Sequence, residues 1–147
     1  MTVIDALKNI IKDKAILADG RMHSHAIIIE KDPSAKLTKL TISDLETGHL
    51  VIGLDAGRII TNDKKEIALM SPIFKITDDC SHNRACDALL IRESGSGCEI
   101  AYIDLKSDSP TGYSGQFISS KCFVNYLESL MKSFCNSDVK IVRIKIS

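Results

Sequence analysis

The sequence predicts a single domain over residues 1–147, with an α/β or α+β fold. Its length of 147 residues is usual for one domain, and a composition of 44% hydrophobic and 26% charged residues suits a globular core. Amphipathic helical segments are interspersed with short β-rich runs, and no repeat or linker divides the chain. We therefore expect a mixed central sheet flanked by helices, with extra antiparallel strands in the N-terminal half.

The N-terminal half begins with apolar residues at helical spacing, from Val3 to Ile11, which predict a helix that ends at Gly20. Residues 25–31 predict a strand, and alternating runs on both sides of Gly48 predict antiparallel strands that pair there. Residues 57–71 predict another pair that turns at residues 62–65, or alternatively a short helix.

The C-terminal half predicts strand, strand, helix, strand. Residues 86–92 and 98–106 form two apolar runs separated by a Gly-rich turn, and residues 139–147 alternate as a last strand. Between them, residues 116–134 have one apolar face at helical spacing. The two runs around the turn should form a hairpin.

Charge and cysteine content limit the function classes. The 19 Lys and Arg residues equal the 19 Asp and Glu residues, which disfavours tight DNA binding by this chain alone but permits a local basic cleft. Five cysteines, an odd number without a C-x-x-C pair, argue against a zinc site and a disulfide framework. No signal peptide or membrane-spanning run is evident, so a cytoplasmic protein without a membrane segment is expected.

Charged residues occur where the predicted hairpin strands begin and end. Asp104 and Lys106 are two residues apart and should share one face, while Ile103 and Leu105 face the core. Asp87 begins the other arm, so the three charged groups should converge at the end away from the turn. Two carboxylates there can hold Mg²⁺ or Mn²⁺, which lowers the pKa of a water ligand and neutralises charge on a phosphoryl group. The alternative is a surface ion pair of Asp104 and Lys106 on an edge strand.

This arrangement resembles the PD-(D/E)XK nuclease superfamily, over about residues 80–146. Its signature is an acid on one core strand, (D/E)-x-K on the next and then a helix; Asp87 matches the first acid, and Asp104 with Lys106 matches the second motif. The resemblance implies a restriction-endonuclease-like core in which Asp87 and Asp104 bind Mg²⁺ or Mn²⁺ and Lys106 is catalytic. It also implies that Gln116 supports the site from the start of the helix, a position for which Lys121 is a second candidate.

Residues around these motifs are candidates for substrate contact. Arg84 could bind a phosphate and His82 could shuttle a proton, from a polar loop that could instead have no role. Tyr113, in the loop after the D-x-K motif, could stack on a base, and Lys121 could contact the backbone. A thiol nucleophile at Cys86, paired with His82, is an alternative, although Cys86 precedes an apolar strand and is expected in the core.

The functional hypothesis is a metal-dependent nuclease that hydrolyses phosphodiester bonds of nucleic acid, DNA in preference to RNA. The resemblance further implies a homodimer or a subunit of a larger complex, with an ATPase as one partner, in a genome-defence system. The alternative is a catalytically inactive nuclease-like protein-interaction subunit. It is favoured by the net charge of zero and by the N-terminal helix, which has no matching glutamate and only Asp5 and Asp13 as candidates. A second departure from the pattern is that no proline precedes Asp87.

Overall fold

The computed structural model describes residues 2–29, 39–54, 58–60, 66–68, 85–95, 97–105, 113–135 and 141–146, and only the backbone at 58–60, 66–68, 113–116 and 141–146. The helices are α1 (Val3–Ile10) and α2 (Tyr113–Phe134), with a short 3₁₀ turn at Asp13–Ala15. The strands are β1 (Ile16–Asp19), β2 (Ala26–Ile29), β3 (Lys39–Ile42), β4 (His49–Gly53), β5 (Arg58–Ile60), β6 (Glu66–Ala68), β7 (Ala88–Ser94), β8 (Gly97–Ile103) and β9 (Ile141–Ile146).

The main sheet has five strands in the order β1-β4-β7-β8-β9. The first four are antiparallel to their neighbours, and β9 is parallel to β8. Parallel neighbours need a crossover connection, and α2 lies in the connection between β8 and β9. Two antiparallel pairs, β2–β3 and β5–β6, complete the described strands. The fold is therefore α+β, with a mostly antiparallel sheet and two helices.

Apolar side chains cover both faces of the main sheet. Side chains alternate between the faces along β7 and β8, so neighbouring residues of one strand belong to different clusters. The first cluster joins the sheet to α1 and α2 and includes Ile4, Leu7, Leu50, Ile52, Leu89, Ile91, Ile100, Tyr102, Phe117, Val124, Leu127 and Met131. The second joins the opposite face to β2 and its neighbourhood and includes Ala26, Ile28, Leu45, Val51, Ala88, Ile103 and Leu105. Strand β8 is consequently buried on both faces.

Helix α1 is held by hydrogen bonds at its first turn. Thr2 and Asp5 form a capping box, and the Ile4 amide donates to Glu93 Oε1 at 3.0 Å. The prediction that this helix continues to Gly20 is wrong. It ends at Ile10, because the chain becomes extended at Ile11 and residues 16–19 pair with β4.

The predicted pairing across Gly48 is also wrong. Strands do lie on both sides of this glycine, whose φ of +98° suits the turn, but β3 pairs with β2 while β4 lies between β1 and β7. Residues Leu50, Val51 and Ile52 of β4 are all buried, so this strand needs neighbours at both edges and cover on both faces.

The remaining predicted elements are confirmed where the structure describes them. Strand β2, the β5–β6 pair, the β7–β8 hairpin, α2 and β9 all occur near their predicted positions. The hairpin turn is tighter than predicted, because Ser94 already pairs with Gly97, and Gly95 supplies a φ of +59°. Neither helix in the described part of the chain is long and apolar enough to cross a membrane.

Candidate functional site

Two aspartates lie at the end of the β7–β8 hairpin away from the turn: Asp87 directly precedes β7, and Asp104 directly follows β8. Ala88 pairs with Ile103, and extending this antiparallel register by one residue sets Asp87 opposite Asp104. Only 8% of Asp87 and 5% of Asp104 is exposed to solvent. Aspartate is seldom buried this deeply, so two such residues side by side mark this end of the sheet as a candidate site.

Alternation along β8 assigns Asp104 to the helix-covered face. Asp104 is in phase with Tyr102, which belongs to the cluster beneath α1 and α2, and Cys86, directly before Asp87, belongs to the same cluster. Ile103 and Leu105 belong to the cluster on the opposite face, as the sequence predicts. The alternative of an exposed position on an edge strand is wrong for Asp104, because β8 lies between β7 and β9.

Backbone groups hold Asp87 in place. The Leu105 amide donates to Asp87 Oδ2 at 2.6 Å, and the carbonyl of Asp87 accepts from the Leu54 amide at 3.1 Å. The first bond joins the carboxylate to the residue directly after Asp104. The two acidic residues are thus fixed relative to each other by the backbone of the hairpin and of β4.

Cys86 lies beside both carboxylates. It is fully buried, its amide donates to the Ser120 hydroxyl oxygen at 3.0 Å, and its Sγ donates to the Ala88 carbonyl at 3.6 Å. Burial raises the pKa of the Cys86 thiol to about 12, with smaller contributions in the same direction from the charges of Asp104 and Asp87. Because a thiolate is the nucleophilic form, this environment argues against Cys86 as a nucleophile.

The other predicted site residues differ in what the structure describes. Lys106, Arg84 and His82 lie outside the described residues. Tyr113 is the first residue of α2 and Gln116 the fourth, so the backbone of both lies in the first turn of that helix. Lys121 is exposed on α2, and no ion pair joins it to another described residue.

Ser120 is the site-adjacent residue that the sequence prediction missed. It is fully buried at the start of the apolar face of α2, which continues through Val124, Leu127 and Met131. A polar residue at a position whose helical spacing predicts burial is a signal that could have identified it. No local pattern predicts that its partner is the Cys86 amide, 34 residues earlier.

A third buried carboxylate, Asp19, lies at the opposite end of the main sheet and is 3% exposed. Its Oδ2 accepts from Lys8 Nζ at 2.7 Å, and its Oδ1 accepts from the Arg21 amide at 3.0 Å. Burial acts to raise the pKa of Asp19, but the hydrogen bonds from Lys8 and Arg21 and the charges of these residues outweigh it, so the pKa is lowered. Asp19 is therefore a carboxylate whose charge is balanced by its own neighbours.

The Asp87–Asp104 pair matches a hard divalent cation in the kind of ligand it offers, since Mg²⁺ and Mn²⁺ prefer carboxylate oxygens. A carboxylate can also accept a hydrogen bond, as Asp87 does from Leu105, while it ligates a metal. Within the part of the chain that the structure describes, no three His, Cys, Asp or Glu residues are grouped to hold a metal ion. Two ligands of the expected chemistry are thus present among the described residues.

No family of known proteins, no curated protein and no solved structure matches this chain. The resemblance to PD-(D/E)XK nucleases therefore stays a prediction from the motif residues.

Proposed function

We propose that this protein is a metal-dependent nuclease with a restriction-endonuclease-like core. The observation that carries the proposal is the pair of nearly buried aspartates, Asp87 and Asp104, set opposite each other at the end of a two-stranded hairpin. Lys106 follows two residues after Asp104 in the sequence, which completes the acid and D-x-K pattern of such enzymes.

Asp87 and Asp104 would hold Mg²⁺ or Mn²⁺. Both are adjacent to paired strands, since Asp87 directly precedes β7 and Asp104 directly follows β8, and Asp87 accepts a hydrogen bond from the Leu105 amide. A preorganised pair of ligands loses little conformational freedom when a cation binds. Once bound, the cation supplies Lewis-acid chemistry that makes a phosphodiester bond easier to hydrolyse.

Lys106 has a different role, because a protonated amine cannot ligate a cation. Its ammonium group would stabilise negative charge that builds up on the phosphoryl oxygens, or orient the attacking water. Gln116, in the first turn of α2, would assist at the same site. Arg84, His82, Tyr113 and Lys121 remain proposed substrate contacts, with DNA favoured over RNA as the substrate. The proposal includes a cytoplasmic location and a role in genome defence, in which the protein acts as a dimer or together with an ATPase.

A second candidate is a nuclease-like subunit whose function is to bind another protein. It is favoured by apolar side chains on α2 that no other described element covers: Ile118 and Tyr126 are 62% and 63% exposed. Large exposed apolar residues that cluster on one helix often belong to interaction surfaces.

A cleavage assay separates the two candidates. The purified protein would be incubated with single- and double-stranded DNA and RNA in the presence of Mg²⁺, Mn²⁺ or EDTA. We expect cleavage that requires a divalent cation, and a loss of about a hundredfold or more in rate for Lys106→Met. Calorimetry with Mn²⁺ should show weaker binding for Asp87→Asn and Asp104→Asn, but not for Lys106→Met.

Glu46→Gln is the matched control, because Glu46 is an exposed acid whose carbonyl bonds to the amide of His49, at the opposite end of the sheet. It should cleave and bind Mn²⁺ as the unmodified protein does. Two results would contradict the nuclease proposal and favour the interaction subunit. The first is that Lys106→Met cleaves at the rate of the unmodified protein. The second is that neither Asp87→Asn nor Asp104→Asn changes the affinity for Mn²⁺.

A further inference from the structure

We infer that Ser120 is a positioning residue for the metal ligand Asp87, acting through the backbone of Cys86. The inference rests on the proposed function, because it assigns to Ser120 a part in the same site. The physical link is the hydrogen bond of 3.0 Å from the Cys86 amide to Ser120 Oγ, which joins α2 to the residue directly before Asp87.

The bond is made by a residue that lies before the first residue of strand β7. Strand β7 begins at Ala88, so Cys86 and Asp87 precede its ladder of hydrogen bonds. A buried amide needs an acceptor, and Cys86 is fully buried. Within a sheet, a neighbouring strand would supply this acceptor. For the Cys86 amide, the acceptor is the Ser120 hydroxyl oxygen on α2. The backbone next to Asp87 is thereby fixed although it lies outside the sheet.

Three of the hydrogen bonds in the described part of the chain help to determine where the Asp87 carboxylate lies. Ser120 holds the preceding residue, the Leu54 amide holds the Asp87 carbonyl, and the Leu105 amide holds Oδ2. The donors of the last two bonds are the backbone amides of Leu54 and Leu105, which substitution of the Leu54 or Leu105 side chain leaves in place. Of the three partners of this segment, Ser120 is the one that bonds through its own side chain.

The same contact fixes α2 relative to the sheet. Ser120 is one helical turn after Gln116, so the rotation of α2 that brings Ser120 to Cys86 also sets the position of the first turn of the helix. A metal site tolerates displacements of only a fraction of an ångström in its ligands before affinity falls. Removing the Ser120 bond should therefore weaken metal binding in a protein that still folds.

Matched substitutions isolate the hydroxyl group. Thr and Val have the same shape, so Ser120→Thr keeps the acceptor oxygen and Ser120→Val removes it at equal volume. Ser120→Ala removes it without adding a methyl group. Ser129→Ala is the control on the same helix, because Ser129 is exposed and its hydroxyl donates to the Asn125 carbonyl of its own helix.

Calorimetric titration with Mn²⁺, well below the unfolding temperature of every variant, gives the affinity, and thermal unfolding without metal gives the stability. We expect a dissociation constant raised about tenfold or more in Ser120→Val and Ser120→Ala, and close to the unmodified value in Ser120→Thr and Ser129→Ala. The Cys86 amide should be protected from hydrogen exchange in the unmodified protein and exposed to it in Ser120→Ala.

The outcomes distinguish this inference from the proposal on which it rests. Unmodified protein that binds no Mn²⁺ overturns the proposed function, and the role of Ser120 with it. If the unmodified protein binds Mn²⁺, and Ser120→Ala folds and binds it equally well, the inference about Ser120 is wrong and the proposed function stands. The same holds if Thr and Val variants lose equal affinity, since the methyl group and not the hydroxyl would then be the cause. If Ser120→Val does not fold, the Mn²⁺ affinities of Ser120→Ala and Ser120→Thr are compared instead.

Discussion

The two ends of the main sheet bury aspartates in different ways. At the end near the Gly95 turn, Asp19 lies 2.7 Å from the Lys8 ammonium and accepts from the Arg21 amide, and its pKa is lowered. At the other end, Asp87 and Asp104 lie opposite each other, and Asp87 accepts from the neutral amide of Leu105. At the first end a carboxylate lies beside an ammonium group, and at the second two carboxylates lie next to each other.

This difference separates a stabilising role from a binding role. A carboxylate whose neighbours balance its charge helps to hold α1 on the sheet through Lys8. Two neighbouring carboxylates repel each other, and burial increases the repulsion. Proteins retain such arrangements mostly at functional sites, where a ligand of opposite charge gains from them. The closeness of two buried carboxylates therefore favours the hairpin end as the site.

The largest expected effect concerns the thiol beside the acid pair. Cys86 is buried with a pKa of about 12, whereas Cys122 is exposed on α2. An ordinary thiol has a pKa of about 8.5, so at that pH the thiolate fraction of Cys86 is lower by roughly a thousandfold. We expect iodoacetamide to modify Cys122 at least a thousandfold faster, as measured by mass spectrometry of peptides over time.

Concentrated guanidinium is the control, since all cysteines should react at similar rates once the chain unfolds. Comparable rates for Cys86 and Cys122 in the folded protein would mean that the acid-pair end is open to solvent, and the comparison of the two ends would fail.

The next effect concerns stability at the two ends. Asp19→Asn keeps an oxygen for the Arg21 amide but removes the charge that faces Lys8, so the free energy of unfolding should fall by about 1.5–3 kcal/mol. Asp104→Asn should cause a smaller loss, because it also removes repulsion between two neighbouring carboxylates. Urea unfolding at neutral pH with EDTA measures both, with Asp13→Asn as the exposed control. Equal losses for Asp19→Asn and Asp104→Asn would show that both aspartates are structural.

The smallest effect is the pH dependence of the Asp19 contribution. Its pKa in the folded protein lies below the unfolded value of about 3.9, so its stabilisation is complete well above that pH and is lost as the pH falls through the folded value. The stability difference between the unmodified protein and Asp19→Asn should therefore be constant between about pH 7 and pH 5 and shrink below about pH 4. Urea unfolding across this range tests it, and a difference that grows on acidification would contradict the lowered pKa.

The parts of the fold that the sequence predicts are those with local signals. The β7–β8 hairpin has two apolar runs and a Gly-rich turn, and α2 has an apolar face of several turns, so each is recognisable within its own segment. The same hairpin brings Asp87 and Asp104 together, which is why the core of the candidate site is also predictable. Both aspartates lie at the end that the strand directions require.

The parts that the sequence does not predict depend on distant partners. Strand β1 follows a helical pattern that extends to Ile11, and only its pairing with β4 makes residues 16–19 extended. The bond from Cys86 to Ser120 and the ion pair of Lys8 with Asp19 likewise join separate elements. Short segments carry no information on which distant group they contact, so tertiary pairing decides these features.

The hydrogen bond from the Ile4 amide to Glu93 has a consequence for the order in which the chain folds. It joins residues 89 positions apart, and the helix that it caps has only 8 residues, too few to persist alone in water. As the chain leaves the ribosome, α1 emerges long before β7 exists. Helix α1 therefore gains this bond only after the end of the hairpin has been synthesised, and the segment stays accessible to chaperones until that strand has docked.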